Sequence, residues 1–497
     1  MIALNITLIT PLFSAIILAI IARQRLCSWF NIVASTGTFI ASVFMAYTVL
    51  TTGKTIGGQQ GQFYIDEFNV YLIVLTALVG LTTSIFSRPY MIHEEQLGKV
   101  SQNRMRLYHA SYQGFIFTML LALSTNNLGI LWVALEGATL ATVMLVSLYR
   151  TPEAIEAAWK YFIICGVGIA QALFGTVLIY FAAANAIPNP DHALLWSELQ
   201  SHAGQLEPVV MVIAFVFILV GYGTKIGLVP MHTWLPDAHS EGPTPMSAVL
   251  SGLLLNVALY ALVRVKMLTD GTLEVSAAGH NPHLAGYLMM GFGIVSFSVA
   301  ALFLHRQRDI KRLFSYSSIE HMGLMTFAFG LGGPLATFGA LLHMTVHSLT
   351  KSAIFVTVGH ACQIACTQKI ENIRGLIRTQ PAVGWGLLIG TAAIAGFPPF
   401  GVFTSEFLLL TATMETRPWL TLPLLFGLTI AFAGLFRHLH PMVYGEAPEN
   451  QLAVKINMWP VIIHLSIVLW LGLSIPDFLS NWFNKATILI SGQGVLP

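Results

Sequence analysis

The sequence predicts an all-α polytopic membrane protein of about fourteen transmembrane helices. Three observations lead there. The chain has 497 residues, of which 55% are hydrophobic and only 9% charged, whereas a soluble globular chain is about 25% charged. Apolar runs near the ~20 residues that span a bilayer recur from one end to the other. The basic residues, sorted by the resulting loops, gather on one side.

In chain order the runs cover residues 2–22, 29–50, 67–86, 109–124, 127–149, 158–184, 208–230, 244–266, 284–304, 313–331, 334–362, 382–411, 419–437 and 457–475. The first has no basic stretch before it and no small-residue cleavage site, so it is expected to remain as a helix and not be removed as a signal peptide. The fourth and fifth are divided only by the tight turn "STNNLG" (Ser124 to Gly129). With fourteen spans the odd-numbered loops hold seventeen basic residues: Arg23, Arg25, Arg88, Lys99, Arg104, Arg106, Arg150, Lys160, Arg306, Arg308, Lys311, Arg312, Lys369, Arg374, Arg378, Arg437 and Lys455. The other loops hold five: Lys54, Arg264, Lys266, Arg417 and Lys485. Positive charge is retained on the cytoplasmic side, so the odd loops should face the cytoplasm and both termini the opposite side. A miscounted span would have scrambled this split. No stretch outside the membrane is long enough for a folded domain.

The same composition excludes several classes of function. A formal net charge of +2 gives no ground for a nucleic-acid partner. Of the four cysteines, Cys27, Cys165, Cys362 and Cys366, only the last two lie close in sequence. Their C-x-x-x-C spacing is a weak metal signal, and the spacings that bind iron–sulfur clusters or haem are missing. No metal, cofactor or redox centre is expected.

What remains polar inside the apolar runs carries the argument. Glu136 lies in "LWVALEGATL", Glu406 in "VFTSEFLLL", and Glu320 with His321 in "YSSIEHMGLM". Lys225 and Lys351 are the two lysines outside any loop. In "LLHMTVHSLTKSAIF" the spacing of His343, His347 and Lys351 is i, i+4, i+8, which places all three on one helix face over about 12 Å. Ionisable groups are expensive in hydrocarbon, and a set of them spread over five spans is the pattern of a proton relay. Two spans are also interrupted beside a charge. Lys225 is followed by Gly227 and Pro230, while Pro398 and Pro399 precede Glu406. Proline removes a backbone donor and clashes with the preceding turn. Paired interrupted helices, one in each half, point to an internally repeated transporter.

Three blocks, "GTKIGLVPMHTWLPDAHSEGPTPMSAVLSG" (Gly223 to Gly252), "RDIKRLFSYSSIEHMG" (Arg308 to Gly323) and "HMTVHSLTKSAIF", resemble the signature stretches of one family. It comprises the antiporter-like membrane subunits shared by respiratory complex I, membrane-bound hydrogenases and multisubunit cation/proton antiporters. The likeness runs in register over nearly the whole chain. Within the family, "WVALEGATLATVMLVSLY" and "EAAWKYFIICGVGIAQALFGTVLIY" look most like the F subunit of hydrogenase 4-type formate hydrogenlyase complexes. The resemblance implies fourteen helices with two inverted five-helix repeats, helices 4–8 and 9–13, and with helices 7 and 12 discontinuous. The units are then the N-terminal helices 1–3 (1–108), the first repeat (109–268), the second repeat (284–441), helix 14 (457–475) and a C-terminal tail (476–497). The resemblance also implies a prokaryotic inner membrane, other membrane subunits as partners in a multisubunit complex, and a soluble redox or other energy-supplying module beyond them.

Transferred residue by residue, the family relay falls on Glu136, Lys225, His343, His347, Lys351 and Glu406. Many members carry lysine or histidine midway along helix eight, where this chain has Asn256, which can order water but not hold a proton charge. Lys160, His232, Asp237, His239, Glu320 and His321 are secondary relay candidates. The expected mechanism begins with Glu136 keeping Lys225 protonated by pairing; when the glutamate moves or is neutralised, the lysine releases its proton along the axis. Histidines, with intrinsic values near 6.5, suit the shuttle, and Lys351 with Glu406 repeats the pairing in the second half. Two alternatives stay open: a subunit of a multisubunit sodium/proton antiporter, and an inert or energy-coupling membrane partner of an unrelated soluble module. A carrier of some other solute is weaker, since the sequence offers no pocket chemistry beyond the relay.

Overall fold

Each of the fourteen apolar runs falls on a helix or on a pair of helices. The computed structural model describes residues 2–21, 24–53, 56–58, 61–275, 281–447 and 456–495. Arg23, Lys54 and Lys455, used in the charge count, lie outside these, as does the side chain of Arg25.

Helices α1 (Ile2–Ile20) and α2 (Gln24–Thr52) lead into an antiparallel hairpin of β1 (Ile56–Gly58) and β2 (Phe63–Ile65). α3 (Glu67–Gln96) starts at a reciprocal cap. The Asp66 carboxylate accepts from the backbone of Phe68 and Asn69, and the Asn69 side chain accepts from the Asp66 N–H; orphan donors of the first turn are thereby satisfied. α4 (Gln102–Ser124) and α5 (Leu128–Val146) are divided at the expected turn, where Asn127 caps α5 through the N–H groups of Gly129 and Ile130. α6 (Pro152–Ala183) follows, with Pro152 in its first turn and Thr151 capping. A short α7 (Trp196–Ser201) runs along the end of the bundle to α8 (Pro208–Ile226).

α8 and α9 (Trp234–Glu241) make the first broken span. α8 stops at Gly227, whose φ of +84° suits glycine. The Leu228 and Gly227 N–H groups bond back to the carbonyls of Gly223 and Thr224, the paired closure of a left-handed C-cap. Next come α10 (Thr244–Val249), a π turn (Leu250–Leu254) and α11 (Leu255–Val275) as one span. α12 (Leu284–Leu304), α13 (Ile310–Leu331) and α14 (Gly333–Ala365) follow. After a short α15 (Leu376–Thr379), α16 (Pro381–Ile394) and α17 (Gly401–Thr416) form the second broken span. Both breaks contain a cis prolyl bond, Val229–Pro230 in one and Pro398–Pro399 in the other. The chain ends in α18 (Pro418–Tyr444), α19 (Trp459–Leu473) and α20 (Asp477–Ser491).

Among the described residues, nine helices are long and apolar enough to cross a membrane, and α19 with α20, bent by 79°, would be a tenth. The rest fall short for reasons that matter here. α4, α13 and α14 carry too many polar groups, and α16 and α17 are each too short. α14 is also the axle of the bundle, with 28 of its 33 residues buried, and an 18-residue stretch of the 244–275 span is wholly buried. Several hydrophobic helices, α1, α6 and α18 among them, are less than half buried, while the polar α13 and α14 lie inside, as expected where lipid is the solvent.

Close backbone packing holds the polar helices in place. A Cβ built on Gly221 of α8 would lie 2.7 Å from the Gly168 carbonyl of α6, and one on Gly293 of α12 the same distance from the Gly323 carbonyl of α13. Small residues at helix crossings are the usual device where apolar side chains gain little by leaving lipid.

The segment 476–497, expected as a tail, holds α20. Trp482 and Phe483 fill the cleft between α3 and α14: Trp482 donates its indole N–H to the Glu67 carbonyl at 2.8 Å, and Phe483 packs edge-on against Tyr71.

Candidate functional site

The interruption of α8 leaves Lys225 one residue from the helix end. The carbonyl end of a helix favours a cation, and the side chain is wholly buried. Its ammonium stands 3.9 Å from Glu136 of α5 and donates to the Thr139 hydroxyl. Tyr161 lies 5.9 Å away as a face for the cation and shares a 2.6 Å hydrogen bond with Thr142. Glu136 keeps 22% of its side chain exposed. The lysine is therefore enclosed, and the Glu136 Oε2 that faces it is buried without a hydrogen bond among the described residues, although the rest of that side chain is partly exposed.

The secondary candidates on this side divide. Lys160 and Arg312 both pair with Asp237, at 2.6 and 2.8 Å, in a half-exposed cluster where α6, α9 and α13 meet. Tyr161, next in sequence to Lys160, stacks on Trp234 at 4.5 Å and so links this cluster to the Lys225 chamber. His232 packs edge-on to Tyr316. His239 is buried, stacked on Phe355 of α14, and neither ring nitrogen has a partner among the described residues.

At the centre, Asn256 follows the π turn and reaches α14 directly. Its amide donates to the Ser348 hydroxyl at 2.6 Å and to the carbonyls of Gly252 and Met344 at 3.3 Å each. Ser348 donates in turn to the Gly252 carbonyl at 2.7 Å. Just beyond, the Ser251 and Ser318 hydroxyls meet at 2.7 Å. At this central crossing the polar contact between the halves thus runs through hydroxyls and amides, while the basic side chains that join the halves, Lys311 and Arg312, do so elsewhere, on α9 and the residue after it.

In the second half His343, His347 and Lys351 share a face of α14, and all three are fully buried. The two histidines stand 6.4 Å apart, ring to ring. His321 of α13 fits between them, with ring centroids 5.1 and 5.4 Å away, and its Nδ1 is 3.1 Å from His343 Nε2. His343 continues to Ser405 of α17 at 2.8 Å. The ladder expected from spacing is therefore a three-histidine cluster fed from two helices.

The expected pairing of Lys351 with Glu406 is not what the structure has. Lys351 donates to the Phe314 carbonyl at 3.0 Å, and the carboxylate whose charge reaches it is Glu320 of α13. Glu406 forms no ion pair among the described residues, and its buried Oε1 lacks a hydrogen bond there. It occupies the space beside Gly396, in the second break, where a Cβ would collide with its carboxylate. The reason is geometric: α13 faces the lysine turn of α14, whereas α17 meets α14 nearer His343.

Sequence reading missed the neutral half of the site. Thr139, Thr142, Tyr161, Ser348 and Ser405 hold the charged groups in register. A signal existed for some of them, since Thr139 lies one helical turn from Glu136 and Ser405 adjoins Glu406. It also left Arg264 without a partner. Arg264 is buried in a double hydrogen bond to Asp66, at 2.6 and 2.7 Å, with Trp196, Tyr260 and Phe68 around the guanidinium. Asp66 caps α3, so this pair staples α11 to the start of α3.

Residues 125–432, which include every one of these groups except Asp66, Phe68 and the flanking helices, match the NADH:quinone oxidoreductase/Mrp antiporter transmembrane family. A "Hydrogenase-4 component F homolog" of Methylacidiphilum infernorum is 46% identical over 97% of this chain and 98% of its own length. A Na(+)/H(+) antiporter subunit of Alkalihalophilus pseudofirmus is 26% identical over 90% of this chain and 88% of its own. Among solved structures, a chain of the membrane-bound sulfane sulfur reductase, an archaeal respiratory membrane complex, superposes with a TM-score of 0.87 at 23% identity, covering 98% of this chain and 97% of that one. An interrupted span beside a buried ionisable side chain, Lys225 in the first half and Glu406 in the second, and a sequence that matches over most of its length lead to one conclusion: this chain belongs to the NADH:quinone oxidoreductase/Mrp antiporter transmembrane family.

Proposed function

We propose that the chain moves protons as an antiporter-like membrane subunit of a redox-driven, hydrogenase-type complex. One observation carries this reading: a buried lysine 3.9 Å from a partly exposed glutamate, followed along the bundle by hydroxyls, an amide and three clustered histidines. At that separation an ion pair in a partly polar site is worth about 4 kcal/mol. Moving or neutralising Glu136 would withdraw that much from the Lys225 ammonium, enough to drive its proton toward Asn256 and the histidines. The Lys160–Asp237–Arg312 cluster is the uptake mouth, and the order of travel is Lys225, the Asn256–Ser348 crossing, His347 and His343, with Glu320 and Lys351 tuning the second half.

In this reading all fourteen segments cross the membrane, and helices 4–8 and 9–13 are inverted repeats. The odd loops face the cytoplasm and both termini the other side of a prokaryotic inner membrane, the orientation that the distribution of basic residues favours. The driving energy comes from partner subunits and a soluble redox module, as the names of the 46% identical hydrogenase-4 relative and of the sulfane sulfur reductase suggest.

The sodium/proton antiporter relative supports a second reading, sodium exchanged for protons. Sodium, a hard cation like calcium and magnesium, prefers oxygen ligands, while most of the ionisable side chains on the axis are imidazoles and amines, His321, His343, His347, Lys225 and Lys351, which favours protons. The test is proton pumping by the whole complex in sealed vesicles. Lys225→Ala should abolish pumping and leave the complex assembled. Normal pumping by that variant sinks the relay, and pumping that requires sodium in the wild type selects the second reading.

A further inference from the structure

At the end of the bundle shared by the termini, a cavity of about 500 Å³ lies between α11, α12, the α13–α14 turn and the last turn of α20. Its lining is mostly polar. Lys266 and Asp270 of α11 form an ion pair at 2.5 Å on its wall, with Glu274, His283 and Arg417 also on the lining. Two buried oxygens of lining residues, Asp270 Oδ1 and Gln200 Oε1, accept no hydrogen bond among the described residues. Buried carboxylate and amide oxygens are almost always satisfied, and a polar cavity of this size admits the water that would do so. Thr337 of α14 also lines the cavity. It lies six residues before His343, about 9 Å along the helix.

We propose that this cavity is the release vestibule of the relay, with Asp270 as the last proton-accepting side chain and Lys266 as its counter-charge. The proposal rests on the proton-relay reading and goes beyond it by assigning the outlet. It places release beside α11 and α14, not along α17 past Glu406. A proton leaves the His343 imidazolium, crosses water to the Asp270 carboxylate and neutralises it, which loosens the Lys266 pair. Asp270 then yields the proton to bulk water, and the restored carboxylate recaptures Lys266. Nothing is oxidised or reduced. The pair acts as a valve, because a free ammonium in the vestibule repels a second proton until the first has left. The C-terminal helix has a place in this scheme as well, since Leu489 to Gly492 close one wall.

Two experiments on the whole complex in sealed vesicles test the assignment. The first is labelling of Met290→Cys, a cavity-lining position on α12, with a small charged membrane-impermeant thiol reagent. Reaction is expected only from the side of the termini, and failure to react from that side overturns the proposal. The second is pumping by Asp270→Asn, expected to fall by roughly tenfold or more, the scale on which a positioned proton acceptor acts. Asp270→Glu should restore most of the rate and shift its pH profile, which a merely structural aspartate would not do. Wild-type pumping by Asp270→Asn overturns the vestibule but leaves the relay standing if Lys225→Ala is inactive. If Lys225→Ala pumps normally, the relay itself has failed, and the two failures stay distinct.

Discussion

The two buried lysines, one in each half of the chain, stand in different electrostatic settings. Lys225 has a carboxylate at 3.9 Å, a hydroxyl acceptor and an aromatic wall. Lys351 also has a ring at 5.9 Å, that of Phe314, but among the described residues it donates to a backbone carbonyl alone; the charge of Glu320 acts on it from beyond ion-pair distance, and His347 lies one turn away on the same helix face. A buried ion pair fixes a charge in one place, and breaking it is costly. A cluster of imidazoles does the reverse and offers a proton several sites; here His321 and His343 share a hydrogen bond, while the ring nitrogens of His347 have no partner among the described residues. In the proposed relay, the first half holds a proton until triggered and the second passes it on.

That contrast predicts the largest loss where a charge is held most tightly. Glu136→Gln keeps the size of the side chain and removes its charge. Withdrawing even half of about 4 kcal/mol, at ~1.4 kcal/mol per factor of ten, reduces pumping more than tenfold. Because Glu136 and Lys225 act as one unit, the Glu136→Gln, Lys225→Ala double variant should pump no worse than Lys225→Ala alone. Pumping rates in vesicles decide it, and independent, multiplying losses would mean that the pair does not interact.

The second half should respond less steeply and with a different grouping. Glu320→Gln should add little to the loss caused by Lys351→Ala, since Glu320 acts through that lysine. Glu406→Gln should add to it, because Glu320, and not Glu406, is the carboxylate whose charge acts on Lys351. If Glu406→Gln instead proves silent in the Lys351→Ala background and Glu320→Gln does not, the geometry assigned to the second half is wrong and the two halves are more alike than they look.

The contrast was only partly legible in the sequence. Lys225 and Lys351 announced themselves as charges inside apolar runs, and the breaks at Gly227–Pro230 and Pro398–Pro399 read directly, because proline and glycine act locally. The span 284–304 has the same bounds in sequence and structure. What could not be read was which helix faces which. An i, i+4, i+8 spacing fixes the face that His343, His347 and Lys351 share but not the neighbour opposite that face, so His321 arriving from α13, and Glu320 in place of Glu406, were beyond reach. Arg264 failed for the same reason: Asp66 is far away in the chain, and a double hydrogen bond across that gap leaves no periodic trace. α20 was hidden by its composition, since its apolar residues are interleaved with Asp477, Ser480, Asn481, Asn484 and Lys485 and it packs by one stripe only.

The smallest expected effect falls where the two halves meet. Asn256 donates to Ser348, Gly252 and Met344, while its carbonyl oxygen is buried without a donor among the described residues. A water at that oxygen would join the first half to Ser348 and the histidines. Asn256→Leu, similar in size, cannot hold it and should slow transfer between Lys225 and the histidine cluster. The loss should be smaller than for either lysine, because a hydrogen-bonding site is removed and no charge is lost. Asn256→Lys should keep pumping. The asparagine amide already sits among three acceptors, and an ammonium has three protons to offer. Pumping by both variants, with assembly checked, is the measurement. Should Asn256→Leu pump at the full rate, protons do not cross at this point; the holding half and the passing half would then work as separate paths, each with an outlet of its own.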